Sequence, residues 1–254
     1  MNPKLYFLLF HILSCECAFG QRQFEIRYLG NMGIAVIHND SAIIIDGLHD
    51  YYGDAYLPSD TSATGAMLRR QKPFSKIVAI AVTHRHGDHF DENIVTEVAN
   101  VHQSALLISG NQTRSLLNAE MQKRFSLVAD SATFRITQDL IIRCRRIPHT
   151  YSQRHSAIEN YRIEIVWNGF RIIHFGDADT KSEAVEALAA RPDVMVVPNW
   201  FFATDGALLI NPLKAQKIIA THIAPDDNAP KKNEKLLGEQ ILFKKYGDAI
   251  KTYK

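Results

Sequence analysis

The sequence predicts one α/β domain built from two packed β-sheets, with helices on their outer sides. Short β-type runs dominate the first half of the chain and are interrupted by one helical insertion, and the second half repeats that order. A chain of 254 residues, 46% of them hydrophobic, can bury a large core as one domain. Because no low-complexity tract or linker divides the chain, we expect a single unit after the N-terminal segment.

An antiparallel meander is predicted at the start of this domain. Its β-rich runs, at 24–29, 34–37 and 42–45, are separated by the turn compositions at 30–33 and 39–41. Further strands are expected at 77–82, 105–108, 125–128, 133–136 and 140–147, with short helices around 66–70 and from Asn111.

A β-hairpin is predicted in the second half, where Asn168-Gly169 separates the apolar runs 161–167 and 170–175. The remaining elements expected here are a helix at 182–190, a strand at 194–197, a helix beginning at Asn211-Pro212, a final strand at 218–223 and a closing amphipathic helix at 231–245.

The N-terminus has the pattern of an export signal. Lys4 precedes an apolar stretch at 5–13 that is too short to span a membrane, and Ala18-Phe19-Gly20 is a small-x-small cleavage site. This predicts a signal peptide at 1–20 and one domain at 21–254, in a periplasmic or extracellular protein. Two alternatives stay open: a lipid anchor at Cys15, because 12–15 resembles a bacterial lipobox except at Leu13, and a buried N-terminal strand or helix.

The charge balance gives no case for a nucleic-acid partner or an anionic membrane, because the formal net charge is only +2. The cluster Arg143, Arg145 and Arg146 alternates with Cys144 on a predicted strand and is interpreted as a solvated face. Cleavage after Gly20 would leave Cys144 as the one cysteine, so no disulfide could form within the chain. We expect Cys144 to be a small buried hydrophobic residue.

The stretch at 77–90 indicates a metal site. An unbroken apolar run, typical of a strand buried on both faces, leads into Thr83-His84-Arg85-His86-Gly87-Asp88-His89. Imidazole and carboxylate are ligands that divalent zinc, manganese and iron accept. Asp91 is then expected to cap a helix whose apolar face contains Ile94, Val95, Val98 and Val101.

At these residues the sequence resembles the metallo-β-lactamase-fold superfamily of metal-dependent hydrolases. The resemblance extends to His149, Asp177 and His222, each at a predicted strand end. It implies a four-layer αββα sandwich with two mixed sheets and two divalent metal ions at one edge, expected to be zinc, with manganese or iron as alternatives. The implied ligands are His84, His86 and His149 for the first metal, Asp88, His89 and His222 for the second, and Asp177 for both.

The resemblance also implies the chemistry. Two divalent cations about 3.5–4 Å apart can lower the pKa of a shared water to about 7, which provides hydroxide as the nucleophile. Asp88 is the candidate catalytic residue, because it could orient the hydroxide or carry a proton to the leaving group.

The bond that is cleaved is less well defined by the sequence. Asp177 argues against a dedicated β-lactamase, since those relatives usually lack the bridging carboxylate. Glutathione thioesterases share the ligand set but act on a cytosolic substrate, and the sequence has no basic insertion of the ribonuclease-Z type. We therefore expect a lactonase-like hydrolase of a lactone, ester or related bond in a small molecule. The alternatives are a phosphodiesterase or β-lactamase-type hydrolase of the same fold and a non-catalytic metal-binding protein.

Three loops next to ligand-bearing strand ends are expected to border the substrate. Tyr51 and His155 could hydrogen-bond the polarised oxygen, and Trp200 and Phe201 could form an apolar wall. The alternative is that these aromatic side chains pack in the core.

Overall fold

The fold is described here from a computed structural model, for residues 22–150, 152–189, 191–226, 237–238 and 240–253. The predicted signal peptide at 1–20, including Cys15, lies outside the described residues. Among the residues that are described, no helix is both long enough and apolar enough to cross a membrane.

The first sheet has seven strands in the order β14-β1-β2-β3-β4-β5-β6. These strands are β1 (Gln23–Gly30), β2 (Gly33–His38), β3 (Ser41–Ile45), β4 (Lys76–Ala81), β5 (Leu106–Ser109), β6 (Phe125–Leu127) and β14 (Ala249–Tyr253). Strands β1, β2 and β3 pair antiparallel, as the predicted meander requires. Strands β3 to β6 pair parallel, so their carboxyl ends meet at one edge.

The second sheet also has seven strands, in the order β13-β12-β11-β10-β9-β8-β7. They are β7 (Ser131–Thr137), β8 (Leu140–Ile147), β9 (Asn160–Trp167), β10 (Phe170–His174), β11 (Val194–Pro198), β12 (Lys217–Thr221) and β13 (Gln240–Leu242). The predicted hairpin joins β9 to β10, and Asn168 and Gly169 both have positive φ, 52° and 80°. A two-residue hairpin turn with the right twist requires such angles, which these two residues tolerate.

Helices cover the outer faces of both sheets. They are α1 (Thr61–Leu68), α2 (Glu92–Val101), α3 (Asn111–Arg114), α4 (Ala119–Arg124), α5 (Ser152–His155) and α6 (Thr204–Ile210), with 3₁₀ turns at Ser182–Ala184, Asn199–Phe202 and Asn211–Leu213. Asp91 caps α2 as predicted, accepting from the N–H groups of Asn93 and Ile94. Helix α1 begins earlier than expected because Asp60 caps it. Asn111 is the first residue of α3 rather than its cap.

The core has three layers, which confirms the four-layer αββα sandwich. Side chains from both sheets, such as Phe24 and Ile163, meet in the central cluster. A second cluster lies between the first sheet and α1 and α2, and a third lies between the second sheet and residues 199–213. Strand β11 contributes Val194 and Val196 to the centre but Met195 and Val197 to the outer cluster. Each such buried side chain stabilises the fold by about 1.5–3 kcal/mol.

The helix predicted at 182–190 is wrong for the residues described there. Only the 3₁₀ turn Ser182–Ala184 forms, and Ala187 has a left-handed φ of 58°. Two arginines on the neighbouring strands bind carbonyl groups of this segment. Arg162 donates to the carbonyls of Ala184 and Glu186, and Arg171 donates to that of Ala189.

The predictions for the C-terminal part also need correction. Helix α6 precedes Asn211-Pro212, which lies in a 3₁₀ turn instead of starting a helix. The strand expected to be the last, β12, is followed by two more. Residues 240–242 pair parallel with β12, and 249–253 pair antiparallel with β1, so both segments satisfy the hydrogen bonds of otherwise exposed sheet edges. The prediction of a closing helix at 231–245 is therefore wrong at 240–242, which form a strand. Residues 231–236 and 239 lie outside the described residues.

Candidate metal centre

The turn that follows β4 places four metal-capable side chains at the edge of the first sheet. It runs from His84 to His89, and the N–H of His89 donates to the carbonyl of His86 at 3.0 Å. A bridge between Leu48 and Phe90 closes the turn against the segment that follows β3. The turn is therefore supported at its end, which fixes the directions of its side chains.

The structure brings all seven sequence-predicted metal ligands together in two groups. Within each group the ligand atoms lie within 4.8 Å of one another. The first group is His84, His86, His149 and Asp177, and the second is Asp88, His89, Asp177 and His222. Because one carboxylate belongs to both groups, they lie side by side and each could hold a metal ion.

Three imidazoles form most of the first group. His84 Nε2 lies 3.0 Å from His86 Nδ1 and 3.9 Å from Asp177 Oδ2. His149 Nε2 lies 3.8 Å from the same carboxylate oxygen. His149 Nδ1 must carry a proton, because it donates to the carbonyl of Thr150 at 2.7 Å and a carbonyl can only accept. Its Nε2 is therefore left with a lone pair that can bind a cation.

Carboxylates and imidazoles alternate in the second group. His222 Nε2 lies 3.4 Å from Asp88 Oδ2 and 3.5 Å from Asp177 Oδ2. His89 Nε2 lies 3.2 Å from the other oxygen of Asp177, Oδ1. The two oxygens of Asp177 thus face different imidazoles, which allows this side chain to serve both groups.

The turn that carries Asp177 requires a glycine. Gly176 has a φ of 53°, and a Cβ there would come within 2.6 Å of Asn160 Oδ1 and 2.9 Å of the Thr83 side chain. A glycine therefore lets the end of β10 approach the end of β4 across the two sheets. The carbonyl of Asp177 accepts from the N–H of Thr150 at 2.8 Å, which ties the turn to the strand end that bears His149.

Asp46 is a buried member of the site that the sequence did not single out. Its Oδ1 accepts from the N–H of Thr83 at 2.7 Å, and its Oδ2 accepts from the Thr83 hydroxyl and lies 2.9 Å from His89 Nδ1. Because the Thr83 hydroxyl donates its proton to Asp46, its oxygen can only accept from His84 Nδ1, which lies 3.1 Å away. These contacts use Nδ1 of both His84 and His89 as a donor, so Nε2 is the nitrogen of each ring that can bind a metal.

The charge state of the histidines differs between the groups. Burial, followed by neighbouring histidines, holds the pKa of His84 well below its usual value and lowers that of His86 to about 4. In the second group burial acts in the same direction and is the largest single effect on His222, but Asp177 and Asp88 together outweigh it and raise the pKa of His222 to about 9. Burial opposes ionisation of Asp177, yet His222 and His89 hold its pKa well below the usual range. Positive charge is therefore favoured where the carboxylates converge.

The donor atoms fit a divalent metal. Three buried polar atoms in the centre make no hydrogen bond of good geometry with any described residue: His89 Nε2, His149 Nε2 and Asp177 Oδ1, although the first and the last lie 3.2 Å apart. Buried polar atoms are nearly always paired, so three such atoms at one place indicate a binding site for a ligand. All three belong to imidazole and carboxylate groups, which are the donors that zinc, manganese and iron accept.

A cavity of about 370 Å³ opens onto both groups, and one part of its wall is aromatic. The ring centroids of Tyr56 and Trp200 lie 5.4 Å and 5.0 Å from that of His222. The indole of Trp200 is fixed because its Nε1 donates to the carbonyl of Ala178 at 2.9 Å. Tyr52 also lines the cavity. The aromatic wall, defined as Tyr52, Tyr56 and Trp200, therefore lies beside the second group.

Two of the four residues predicted to contact substrate line this cavity, namely His155 and Trp200. The imidazole of His155 lies beside the first group, with ring centroids 5.1 Å from His86 and 4.8 Å from His149. It is therefore placed to reach a molecule bound at that group.

The other two predicted contacts, Tyr51 and Phe201, do not line the cavity. Tyr51 is 63% exposed, and its hydroxyl donates to Asp54 at 2.7 Å. Phe201 is fully buried and packs against Phe175 in the outer core of the second sheet, with ring centroids 5.4 Å apart. Phe201 and its neighbour Trp200 both lie in the 3₁₀ turn Asn199–Phe202, but the ring of Phe201 packs in the core and that of Trp200 lines the cavity. The sequence offered no signal for this difference.

A model of the beta-lactamase superfamily domain matches residues 43–229. The chain belongs to the beta-lactamase superfamily. The matched span includes all seven candidate ligands and Asp46. Among proteins with curated descriptions, none matches the chain.

Solved structures show that this superfamily member has the metallo-β-lactamase fold. YhfI from Bacillus subtilis, a metallo-β-lactamase-fold protein, is 12% identical with a TM-score of 0.65, and the match covers 91% of this chain and 100% of that one. The metallo hydrolase Igni18 from Ignicoccus hospitalis is 15% identical with a TM-score of 0.63, covering 91% and 98%. An isothiocyanate hydrolase from Delia radicum gut bacteria is 13% identical with a TM-score of 0.60, covering 89% and 98%. The predicted superfamily of metal-dependent hydrolases is confirmed, whereas the lactonase-like subtype stays a prediction.

Proposed function

We propose that this chain is a binuclear metal-dependent hydrolase that cleaves a lactone, ester or related bond in an uncharged small molecule. The observation that carries the proposal is the position of Asp177. Its two oxygens face the nitrogens of both ligand groups, and Oδ1 is a buried atom that makes no hydrogen bond of good geometry within the described part of the chain. A carboxylate in that position would balance the charges of two closely spaced cations.

The seven ligands would hold two ions, each by three side chains of its own and the shared Asp177. Zinc is the expected metal, with manganese and iron as alternatives, because all three accept this donor set. When bound, such a pair of ions lowers the pKa of water to about 7 and polarises the bond to be cleaved. The protein residues then have to orient water, place the substrate and move one proton.

Asp88 is the candidate for the proton transfer. It is almost completely buried, and its Oδ2 lies next to His222 and accepts from Asn31 Nδ2 at 2.8 Å. A carboxylate held in this way can orient the attacking water through one oxygen and accept its proton. As the new C–O bond forms and the bond to the leaving atom breaks, the same proton would pass to the leaving oxygen. The proton lost by the water thus ends on the leaving oxygen, and no Ser or Cys nucleophile is required.

His155 is the candidate for holding the substrate oxygen on the side of the first group. Its imidazole lines the cavity beside His86 and His149 and is partly exposed. A donor in this position would stabilise negative charge that develops on that oxygen in the transition state.

The lining of the cavity supports an uncharged substrate. Among the described residues that line it, none is an arginine or a lysine. A site built to recognise phosphate or carboxylate by its side chains usually supplies such a cation. The aromatic wall instead offers apolar surface for the body of a small molecule. Such a surface suits the uncharged body of an ester or lactone.

The experiment is a bond-type screen of the purified protein after its metal content has been measured. The panel comprises p-nitrophenyl acetate, an uncharged aliphatic lactone, nitrocefin and bis(p-nitrophenyl) phosphate, with Asp88→Asn as the matched inactive control. We expect two equivalents of metal, turnover of the ester or lactone, and loss of that turnover in Asp88→Asn. Turnover of the phosphodiester alone would identify a phosphodiesterase, and nitrocefin hydrolysis a β-lactamase. Bound metal without turnover of any compound would favour a non-catalytic metal-binding protein.

A further inference from the structure

The turn between β1 and β2 touches the metal centre although it contains no metal ligand. The turn comprises residues 30–33, and its second residue, Asn31, is only 1% exposed and has a left-handed φ of 40°. Asparagine adopts this conformation more readily than most other residues with a side chain. The backbone therefore directs the Asn31 amide into the protein interior, where it needs hydrogen-bond partners.

The side chain of Asn31 finds those partners on one residue. Its Nδ2 donates to Asp88 Oδ2 at 2.8 Å and to the Asp88 carbonyl at 3.2 Å. Two bonds from one amide to the same residue fix both the backbone position and the plane of the carboxylate. The Asp88 oxygen that is held is the one that lies 3.4 Å from His222 Nε2.

The main chain of Asn31 holds the other side of the same group. Its carbonyl accepts from the N–H of His222 at 3.1 Å. His222 itself has a left-handed φ of 55°, a conformation that is unfavourable for a residue with a side chain. A conformation of that kind persists only where its surroundings enforce it. The bond from Asn31 is one such constraint.

The turn also joins the two sheets at this point. The carbonyl of Met32 accepts from His174 Nε2 at 2.9 Å, and the Thr221 hydroxyl lies 2.8 Å from the Met32 sulfur. Both partners belong to the second sheet, whereas Asp88 follows a strand of the first. The turn therefore sets the separation between the ligands that each sheet contributes.

We propose that Asn31 is a positioning residue of the second ligand group, which sets the distance and orientation of Asp88 relative to His222. The inference rests on the proposed binuclear function. It does not involve the first group, since the described contacts of Asn31 reach neither His84, His86 nor His149. Loss of the amide should therefore affect the two metals unequally.

Two substitutions separate the side chain from the backbone. Asn31→Gly keeps the left-handed turn and the carbonyl that binds His222, and removes the amide alone. Asn31→Asp keeps the size but places a carboxylate oxygen opposite Asp88 Oδ2, where it would repel. Asn168→Gly is the matched control, because Asn168 is also a left-handed turn residue, with a φ of 52°, but lies in the β9–β10 hairpin.

The main readout is a calorimetric titration of the metal-free proteins with Zn²⁺, supported by the visible spectrum of the Co²⁺ forms. We expect the wild type and Asn168→Gly to bind two equivalents. In both Asn31 variants the first equivalent should bind normally and the second about 10- to 100-fold more weakly. At saturating metal, kcat should fall by a similar factor while KM stays within about twofold, which a general loss of folding would not produce.

Two results would overturn the proposal. If both Asn31 variants bind the second equivalent with wild-type affinity, the amide does not position the group, although the binuclear function stands. If the wild type itself binds one equivalent, the proposed binuclear function fails and the inference fails with it. Thermal unfolding of each metal-free variant shows whether it is folded. If Asn31→Gly is unfolded, the affinity of Asn31→Asp for the second equivalent tests the proposal.

Discussion

His89 and Asp46 are joined by a contact of 2.9 Å between His89 Nδ1 and Asp46 Oδ2, and neither side chain is exposed to solvent. A carboxylate behind an imidazole fixes the tautomer and increases the basicity of the opposite nitrogen. In this protein the same carboxylate also reaches His84 through the Thr83 hydroxyl. One buried aspartate thus orients a histidine of each ligand group.

The Asp46→Asn substitution should weaken the binding of both metal ions. The substituted amide brings N–H donors to a position where the N–H and hydroxyl of Thr83 and the His89 ring already donate. We expect metal affinity or kcat/KM to fall about 10- to 100-fold, measured by Zn²⁺ titration and by hydrolysis of the best substrate. Asp40→Asn is the control, because Asp40 and Asp46 both have a left-handed φ, 59° and 51°, but Asp40 forms a surface ion pair with Lys72. Equal behaviour of the two variants would remove Asp46 from the site.

Asp177→Ala should abolish activity and leave most of the fold intact. Without the shared carboxylate two cations would repel at close range, and the second should be lost before the first. Elemental analysis should then find about one metal per chain. Asp179→Ala is the control, since Asp179 lies two residues along and pairs with Lys181 instead. Two tightly held metals with near-normal turnover in Asp177→Ala would contradict the prediction.

Trp200→Ala and Phe201→Ala should have different effects, although the residues are adjacent. Trp200 lines the cavity, so its loss should lower kcat/KM about 10- to 100-fold while two metals remain bound. Phe201 is fully buried, so its loss should reduce the free energy of unfolding by about 3–5 kcal/mol. Steady-state kinetics and urea denaturation of both variants measure the two effects. If Trp200→Ala lowers the free energy of unfolding but leaves kcat/KM of the folded variant unchanged, the aromatic wall has no part in binding.

Cys144 should be unreactive in the folded protein. Burial raises the pKa of its thiol from 9.0 to about 12. Burial favours the protonated thiol in the folded state. The stabilisation that results is fully present below the ordinary thiol pKa and is lost as the pH rises from about 9 to about 12. We expect iodoacetamide to label Cys144 at pH 8 only after denaturation, as measured by mass spectrometry of its peptide. Complete labelling of the native protein at pH 8 would show an accessible thiol.

The processed chain is predicted to begin at Gln21 and to be exported. The charged start, the apolar stretch and the Ala-x-Gly site are the basis for this prediction. The mass of the protein purified from its native source decides it. An intact Met1 in the cytoplasmic fraction would contradict the prediction, and a lipidated Cys15 would replace cleavage after Gly20 by anchoring.

The candidate metal ligands could be predicted because the resemblance to the superfamily implies them, and strand positions agree with it. A buried apolar run precedes His84, and strand ends precede His149, Asp177 and His222, so these side chains are expected at one edge. Asp46 also ends a strand. Its role depends on a contact with a residue more than 30 positions away, for which the sequence has no local signal.

The helix predicted at 182–190 failed for a similar reason. The segment has helix-forming composition, but the guanidinium groups of Arg162 and Arg171 bind its carbonyls from neighbouring strands. Tertiary hydrogen bonds outweigh propensity there, since propensity differences are only tenths of a kcal/mol per residue. Tyr51 and Phe201 were expected at the cavity because their loops adjoin ligand-bearing strand ends, but that proximity does not determine the side of a loop or 3₁₀ turn on which a ring lies.

The ligands of each group come from both sheets, and this gives the metals a second role. His84 follows a strand of the first sheet and His149 a strand of the second, so one bound ion would fasten the two sheets to each other at that edge. Cys144 is the one cysteine among the described residues, which leaves that part of the chain without an internal disulfide. The ions would act as its cross-links, and a chelator would therefore loosen the sandwich from the catalytic edge inward.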